Sequence, residues 1–297
     1  MHGNRLVLVI GATGNQGGSV VHHLLGHQWR IRALTRNPRS PKALALEKSG
    51  IQVVSGDLAD LPSLVEAMDG ADGVFSIQNF WDLGLEEEVR LGLQVIKAAQ
   101  AQRRGPHLIY SSGLGADAPT RVAAIEGKRT IESQLRASGL RCTILRPALF
   151  MDDIEGASLP FSGPLQRVLD RRRRLVGRLF LATLRGALGP RGRVPLTTLD
   201  DVGRVAAWAL THPDESQYQA YPLIGSVESV DSLCRTWEES TGSRIPWVPG
   251  LTMGLRLFHP QMAQLLRWLG RNAGQPTTGP ISLSTYQEWL SHLPARI

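Results

Sequence analysis

Apolar residues first come in short, unbroken runs. Leu6-Val7-Leu8-Val9-Ile10 carries no polar interruption, the pattern of a strand buried on both faces. Comparable runs return at residues 31–34, 51–54, 73–77, 108–110 and 142–145. Between them, apolar positions recur at helical spacing, as in Val20, Val21, Leu24 and Leu25, or Val89, Leu93, Ile96 and Ala99. Strands alternating with amphipathic helices predict βαβ units and a parallel sheet. Asp60 followed by Pro62 predicts a helix start, with the acid as cap and the proline in the first turn.

After Arg146-Pro147 the rhythm changes, and residues 151–196 read as irregular and then basic. Asp200-Asp201-Val202 predicts another helix, with the acids as cap and first-turn charge, running to about His212-Pro213; residues 221–224 predict a late strand. Further helices are expected over residues 229–241, stopped by Gly242, over 252–269, and from Ser284. There Ser284-Thr285-Tyr286-Gln287 fits a capping box. Trp289 is expected in the core, and His22 and His23 on the surface. The expected fold is α/β: a doubly wound parallel sheet over residues 1–150 plus about 197–227. A smaller, mostly helical lobe of 151–196 and 228–297 would hold a substrate or partner, over the strand ends where open sheets bind ligands.

Gly11-Ala12-Thr13-Gly14-Asn15-Gln16-Gly17 follows the first strand and opens the first helix. In that context Gly11 permits the tight turn, Gly14 lets the backbone approach a pyrophosphate, and Gly17 lets helix pack on strand, the Rossmann arrangement. Amides near Asn15 and Gln16 would face the phosphate, with the helix dipole behind them. At the end of the second strand an NAD site places an acid for the ribose 2′-hydroxyl. This chain has Thr35-Arg36-Asn37-Pro38 and no acid until Glu47. The planar fork of Arg36 suits a 2′-phosphate, so NADP(H) is the expected cofactor.

Composition adds exclusions. No apolar run approaches the ~18 residues of a spanning helix. No secretory leader is read at the start, and the chain is expected to be cytoplasmic. Two cysteines, Cys142 and Cys234, stand in unrelated contexts and suggest neither a disulfide framework nor a metal site. The net charge of +7 is local: residues 167–193 hold nine arginines against Asp170, a window of +8 that leaves −1 for the remainder. Leu165, Val168, Leu169, Leu175, Val176, Leu179, Phe180 and Leu184 recur there at helical spacing, opposite Arg167, Arg171, Arg174, Arg178 and Arg185. Such a basic helix is a solvated face, a homo-oligomer contact, or a dock for an acidic protein or anionic surface through Arg171–Arg174. Phe180 is its lone aromatic, which argues against nucleic acid. Only four of the basic residues are lysines: Lys42, Lys48, Lys97 and Lys128.

With these residues in hand, the chain resembles the NmrA-like family of atypical short-chain dehydrogenase/reductases. The marks are the 11–17 glycine turn, Thr35-Arg36-Asn37-Pro38, Gly56-Asp57, Ser76-Ile77-Gln78-Asn79 and Tyr110-Ser111-Ser112-Gly113. Lys128, Arg146-Pro147 with Phe150-Met151, and Asp201-Val202-Gly203 complete the set. The resemblance implies that Asp57 lies near the adenine, that Gln78 and Asn79 line the coenzyme, and that Lys128 reaches the nicotinamide ribose. Typical short-chain dehydrogenases carry Tyr-x-x-x-Lys, in which the lysine lowers the tyrosine pKa for proton transfer. Here Ala124 stands in the tyrosine's place. Phe150-Met151-Asp152-Asp153 also departs from the family's usual Phe-Met-Glu-Asn. Ser111 and Ser112 have no histidine placed by the sequence to activate them.

The expected function is NADP(H) binding in a redox-sensing or regulatory protein. The alternative is an NADPH-dependent reductase of quinones or similar carbonyls, with Lys128 as its catalytic group. A third is a regulator that binds a partner or nucleic acid through residues 163–188.

Overall fold

The computed structural model describes residues 5–155, 173–246, 257 and 259–293. The chain divides into two compact units, one running to Arg146 and taking in Asp200–Pro222, the other Pro147–Leu199 with the chain from Leu223 onward.

The first unit opens as strand β1 (Arg5–Ile10), helix α1 (Asn15–Leu24), β2 (Trp29–Thr35), α2 (Pro41–Lys48), β3 (Gln52–Ser55) and α3 (Leu61–Met68). It continues through β4 (Gly73–Ser76), the short α4 (Phe80–Leu83), α5 (Leu85–Gln100), β5 (His107–Ser111), α6 (Ala123–Ala137) and β6 (Cys142–Pro147). The sheet order is β3-β2-β1-β4-β5-β6, closed by β9 (Ala220–Leu223). The pairings from β3 across to β6 are parallel. This is the doubly wound Rossmann order. Val7, Leu8 and Val9 are wholly buried, as the unbroken apolar run requires. One face of the sheet closes on Leu64, Met68, Val95, Ile96, Ile131 and Leu135 from α3, α5 and α6. Each such side chain contributes about 1.5–3 kcal/mol by leaving water.

Local chemistry sets the helix starts. Ser40 accepts from the Ala43 amide at 3.3 Å with Pro41 in the first turn. Glu86, Glu87 and Glu88 occupy the first turn of α5, where the helix dipole favours negative charge. Asp60 does stand at the cap of α3, but its side chain makes no cap bond.

The second unit holds β7 (Leu149–Phe150), a 3₁₀ turn (Met151–Glu155), α7 (Arg173–Leu188) and β8 (Arg193–Thr197). Helix α8 (Leu199–Thr211) and the short α9 (Pro213–Ser216) then belong almost wholly to the first unit. The second unit resumes with β10 (Ser226–Ser229), α10 (Val230–Thr241), α11 (Pro260–Arg271) and α12 (Tyr286–Ser291). β10, β8 and β7 form a small sheet of their own, antiparallel between β10 and β8 and parallel between β7 and β8. That sheet was not expected from the pattern. Gly177 of α7 lies flat on buried Trp237 of α10, where a Cβ would come 2.6 Å from the indole ring.

Several expectations shift. The helix expected over 252–269 is α11, beginning at Pro260; residues 252–256 lie outside the described residues. The capping box is one residue later than read: Thr285 Oγ1 accepts from the Glu288 amide, and the Glu288 carboxylate accepts from the Thr285 amide. Trp289 is only half-buried, stacked on Tyr286, while Tyr286 and Leu290 carry the burial. His23 is no idle surface residue: its Nε2 lies 2.6 Å from Asp200 Oδ1. Asp152 accepts from the Leu199 amide at 2.9 Å, anchoring the start of α8. No helix among the described residues is long and apolar enough to cross a membrane, and none of their side chains form a metal-ligand cluster.

Candidate functional site

The link from β1 to α1 is a turn closed by the Gly14 amide donating to the Gly11 carbonyl at 2.8 Å. Gly11 takes φ +75°, a left-handed backbone that glycine adopts without penalty. Gly17 serves a different need: a Cβ there would lie 2.2 Å from the Gly11 carbonyl oxygen. The first turn of α1 therefore sits directly on the backbone of the loop that precedes it. Gly14 occupies the N-cap with extended backbone and has no side chain to cap the first-turn amides. An uncapped helix N-terminus of this kind is suited to phosphate. Thr13, Asn15 and Gln16 surround the turn, and Gln16 Oε1 accepts from the Ser111 hydroxyl at 2.6 Å, joining α1 to the end of β5.

Arg36 stands exposed one residue beyond β2. It lines a cleft of about 250 Å³ with Ser55, Gly56, Asp57, Asp60 and Ser63. Asp57 Oδ1 accepts from the Ala59 amide at 2.9 Å, and the Asp57 amide donates to Ser63 Oγ at 3.1 Å, so this acid is built into its own turn. Gly56 allows that turn to press on β2, since a Cβ would meet Leu34 at 2.6 Å. Sequence reasoning did not assign Lys42, whose ammonium donates to the Thr13 carbonyl at 3.2 Å and brings a cation to the glycine turn. Its scarcity as a lysine, six positions after Arg36, was the available signal.

The end of β4 carries Gln78 and Asn79. Gln78 is buried; its Nε2 donates to Ser76 Oγ at 2.9 Å, and its Oε1 has no partner among the described residues. Asn79 is exposed and caps α4, accepting from the Trp81 amide at 3.2 Å and donating to Asp82 at 2.7 Å. Lys128, on α6, reaches the same place: its Nζ lies 2.9 Å from Glu88 Oε1 and 3.3 Å from the Gln78 carbonyl. Glu88 is fully buried. Burial pushes its carboxyl above the ordinary range, and the Lys128 ammonium opposes that rise. Glu88 is the second group that sequence reasoning missed, because nothing local sets it apart from its neighbours Glu86 and Glu87.

Ala124 is buried and offers no proton. Tyr110, the tyrosine near Lys128's end of the sheet, lies fully buried within β5. Desolvation and the charges of Glu88 and Glu132 hold its hydroxyl well above the usual phenol range. It is a core residue and not a proton donor to a ligand. Ser112 donates to Glu132 Oε1 at 2.5 Å, and Arg146 clamps Glu132 through two bonds of 3.0 and 2.6 Å, so Ser112 belongs to a buried polar link.

Of the arginine stripe, Arg167, Arg171 and Arg172 lie outside the described residues. Within α7, Arg178 donates to the Arg244 carbonyl at 2.7 Å and Arg185 pairs with Asp231 at 3.3 Å. Leu175 and Leu179, expected on the apolar face, are exposed. Among the described residues of α7 the buried apolar side chains are Val176, Leu181, Ala182 and Leu184, while Leu165, Val168 and Leu169 lie outside the described residues.

Comparison with known proteins bears on this geometry. The NmrA-like family model matches residues 3–250. An NmrA-like family domain-containing oxidoreductase from Malbranchea aurantiaca is 31% identical, over 83% of this chain and 76% of its own. An NAD(P)H azoreductase from Xenophilus azovorans is 29% identical, over 74% of this chain and 68% of its own. Among solved structures, an NADPH-dependent quinone oxidoreductase from Escherichia coli, complexed with NADPH, superposes with a TM-score of 0.70 at 22% identity, over 97% of this chain and 99% of that one. That likeness is one of fold. The family match over most of the chain and the relative at 31% identity say more: this chain belongs to the NmrA-like family.

Proposed function

We propose that this protein binds NADP(H) on its first unit, with the pyrophosphate at the N-terminus of α1 and the 2′-phosphate at Arg36. The observation that carries the reading is one pairing. An uncapped helix N-terminus follows a close-packed glycine turn, and an arginine stands where an NAD site has an acid. Thr13, Gly14, Asn15, Gln16 and Lys42 would surround the phosphates, Asp57 would lie at the adenine end, and Gln78, Asn79 and Lys128 at the nicotinamide end. The NAD(P)H azoreductase among the relatives and the NADPH-complexed quinone oxidoreductase among the fold neighbours support a nicotinamide coenzyme.

Arg36→Glu is expected to lower NADP(H) affinity roughly ten- to hundred-fold and erase preference over NAD(H), the loss of a charge-assisted contact. Titration calorimetry with both coenzymes measures this. Equal affinities in the unmutated protein would overturn the assignment of Arg36.

Two uses of the coenzyme follow from different observations. Ala124 in place of a proton-donating tyrosine supports a redox-sensing or regulatory binder. Lys128, held at the ends of β4 and β5, supports a reductase, as do the oxidoreductase names of the relatives. Bound NADPH would supply a hydride, and without an acid beside the acceptor only easily reduced acceptors such as quinones are expected to react. NADPH consumption across a panel of quinones and simple ketones separates the two. Quinone turnover supports the reductase, binding without turnover supports the sensor, and brisk ketone reduction contradicts both.

A further inference from the structure

We propose that Glu88 is a positioning residue: its buried carboxylate holds the Lys128 ammonium at the end of β4 so that one N–H is left to meet a ligand hydroxyl. The proposal rests on the coenzyme reading above and deepens it.

An ammonium has three donors. One goes to Glu88 Oε1 at 2.9 Å and one toward the Gln78 carbonyl at 3.3 Å. Among the described residues nothing takes the third. The Lys128 side chain keeps 17% of its surface exposed, whereas Glu88 keeps none. The pair therefore has an inner end, the carboxylate, and an outer end, the ammonium. The outer end lies beside the C-terminal ends of β4 and β5, where open α/β sheets bind ligands.

The slot around this pair is shaped to hold it. A Cβ on Gly113, just past β5, would lie 3.1 Å from Lys128 Cδ, so the lysine stem lies against bare backbone. A Cβ on Gly127 would lie 2.5 Å from Glu88 Oε2, so a larger residue there would push the buried carboxylate aside. Leu85, one turn before Glu88, packs against the same glycine. Lys128 is the only side-chain partner of Glu88 among the described residues, and Oε2 has none. A buried carboxylate with a single tether is weak evidence for stability, because a hydrophobic pair would pack as well or better. It fits a group whose task is to aim its partner. Lys128 cannot swing freely, since leaving Glu88 would strand a buried charge.

The test compares two ligands. NADPH reaches both ends of the site, whereas adenosine 2′,5′-bisphosphate lacks the nicotinamide half and senses only the glycine turn and Arg36. Glu88→Gln and Lys128→Met are each expected to weaken NADPH about ten-fold or more, the loss of a charge-assisted bond. Affinity for the bisphosphate should stay unchanged. The double variant should match Lys128→Met alone, because both changes remove one contact. Glu88→Asp is the decisive arm. It keeps the charge and the fold but shortens the arm, so a positioning role predicts weaker NADPH binding and a merely neutralising role predicts none. It also serves if Glu88→Gln does not fold.

Unchanged NADPH affinity in Glu88→Asp, or losses that add in the double variant, would overturn the proposal. If the unmutated protein binds neither ligand, the coenzyme reading itself fails and this one falls with it. If it binds both and only the Glu88 arms fail, the coenzyme reading stands alone.

Discussion

Gly17→Ala is expected to destabilise the protein by roughly 1–3 kcal/mol or more and to remove most of its NADP(H) affinity. The added Cβ would lie 2.2 Å from the Gly11 carbonyl oxygen, 2.4 Å from its carbon and 2.8 Å from the Ala12 nitrogen. All three are backbone atoms and cannot rotate away, so α1 must back off from the turn and carry its first amides with it. Gly18→Ala is the internal control. Its Cβ would meet nothing nearer than the Ala12 carbonyl at 3.6 Å, and glycine to alanine inside a helix is favourable by about 1 kcal/mol. Denaturant midpoints and coenzyme titrations on the two variants should therefore move in opposite directions for stability, with affinity lost in Gly17→Ala alone. A Gly17→Ala protein that is as stable and binds as tightly as the parent would refute the close-packed turn.

Acid should weaken the first unit through one buried histidine. His107 is almost fully buried. Desolvation, with the positive charge of Arg141 adding to it, lowers its pKa from 6.5 to about 4. Its Nε2 lies 2.8 Å from Thr143 Oγ1, and that hydroxyl donates its own proton to the Ser216 carbonyl at 2.7 Å. Thr143 is thus left to accept, and Nε2 carries the hydrogen of a neutral ring. The unfolded chain takes up a proton near pH 6.5, whereas the folded one resists until about 4. Stability from this site is therefore full above pH 6.5 and falls steadily as pH drops toward 4. The loss amounts to about 3 kcal/mol, from 1.36 kcal/mol per pKa unit. Urea midpoints at pH 7 and pH 4.5 on the parent and on His107→Gln, which can still donate to Thr143, isolate the effect. The variant should show a flatter pH dependence by nearly that amount, and identical slopes in the two proteins would contradict this account.

Much of the first unit was readable because its central strands, β1, β4, β5 and β6, are buried on both faces. A strand in that position must be apolar throughout, so Leu6–Ile10 and the runs after it announce themselves without any tertiary knowledge. The glycine turn was readable for a similar reason, since backbone sterics leave few residue types for Gly11 and Gly17. The small sheet was not readable. Its strands are Leu149–Phe150, Arg193–Thr197 and Ser226–Ser229, too short or too polar for a period to register. They become strands only by pairing with segments dozens of residues away. The capping box was misplaced by one residue because Ser284 and Thr285 are both competent caps, and backbone geometry chooses between them.

The same division runs through the candidate site. Arg36, Asp57, Gln78 and Asn79 could be named from local motifs and the family resemblance they carry, because each follows a strand end whose position is locally encoded; Lys128, inside α6, could be named from the resemblance. Lys42 and Glu88 could not be assigned in that way. Glu86, Glu87 and Glu88 are chemically identical neighbours, yet only Glu88 is wholly buried, turned by helical geometry toward Gly127 and Lys128. The sequence by itself determined the βαβ alternation, the glycine turn and the basic residue beyond β2, since these depend on burial pattern and backbone sterics within a few residues. Only the tertiary structure decided which of three glutamates lost its water, which lysines reached the site and what short segments formed the second sheet. Desolvation and pairing are set by residues far apart along the chain, and no local pattern records them.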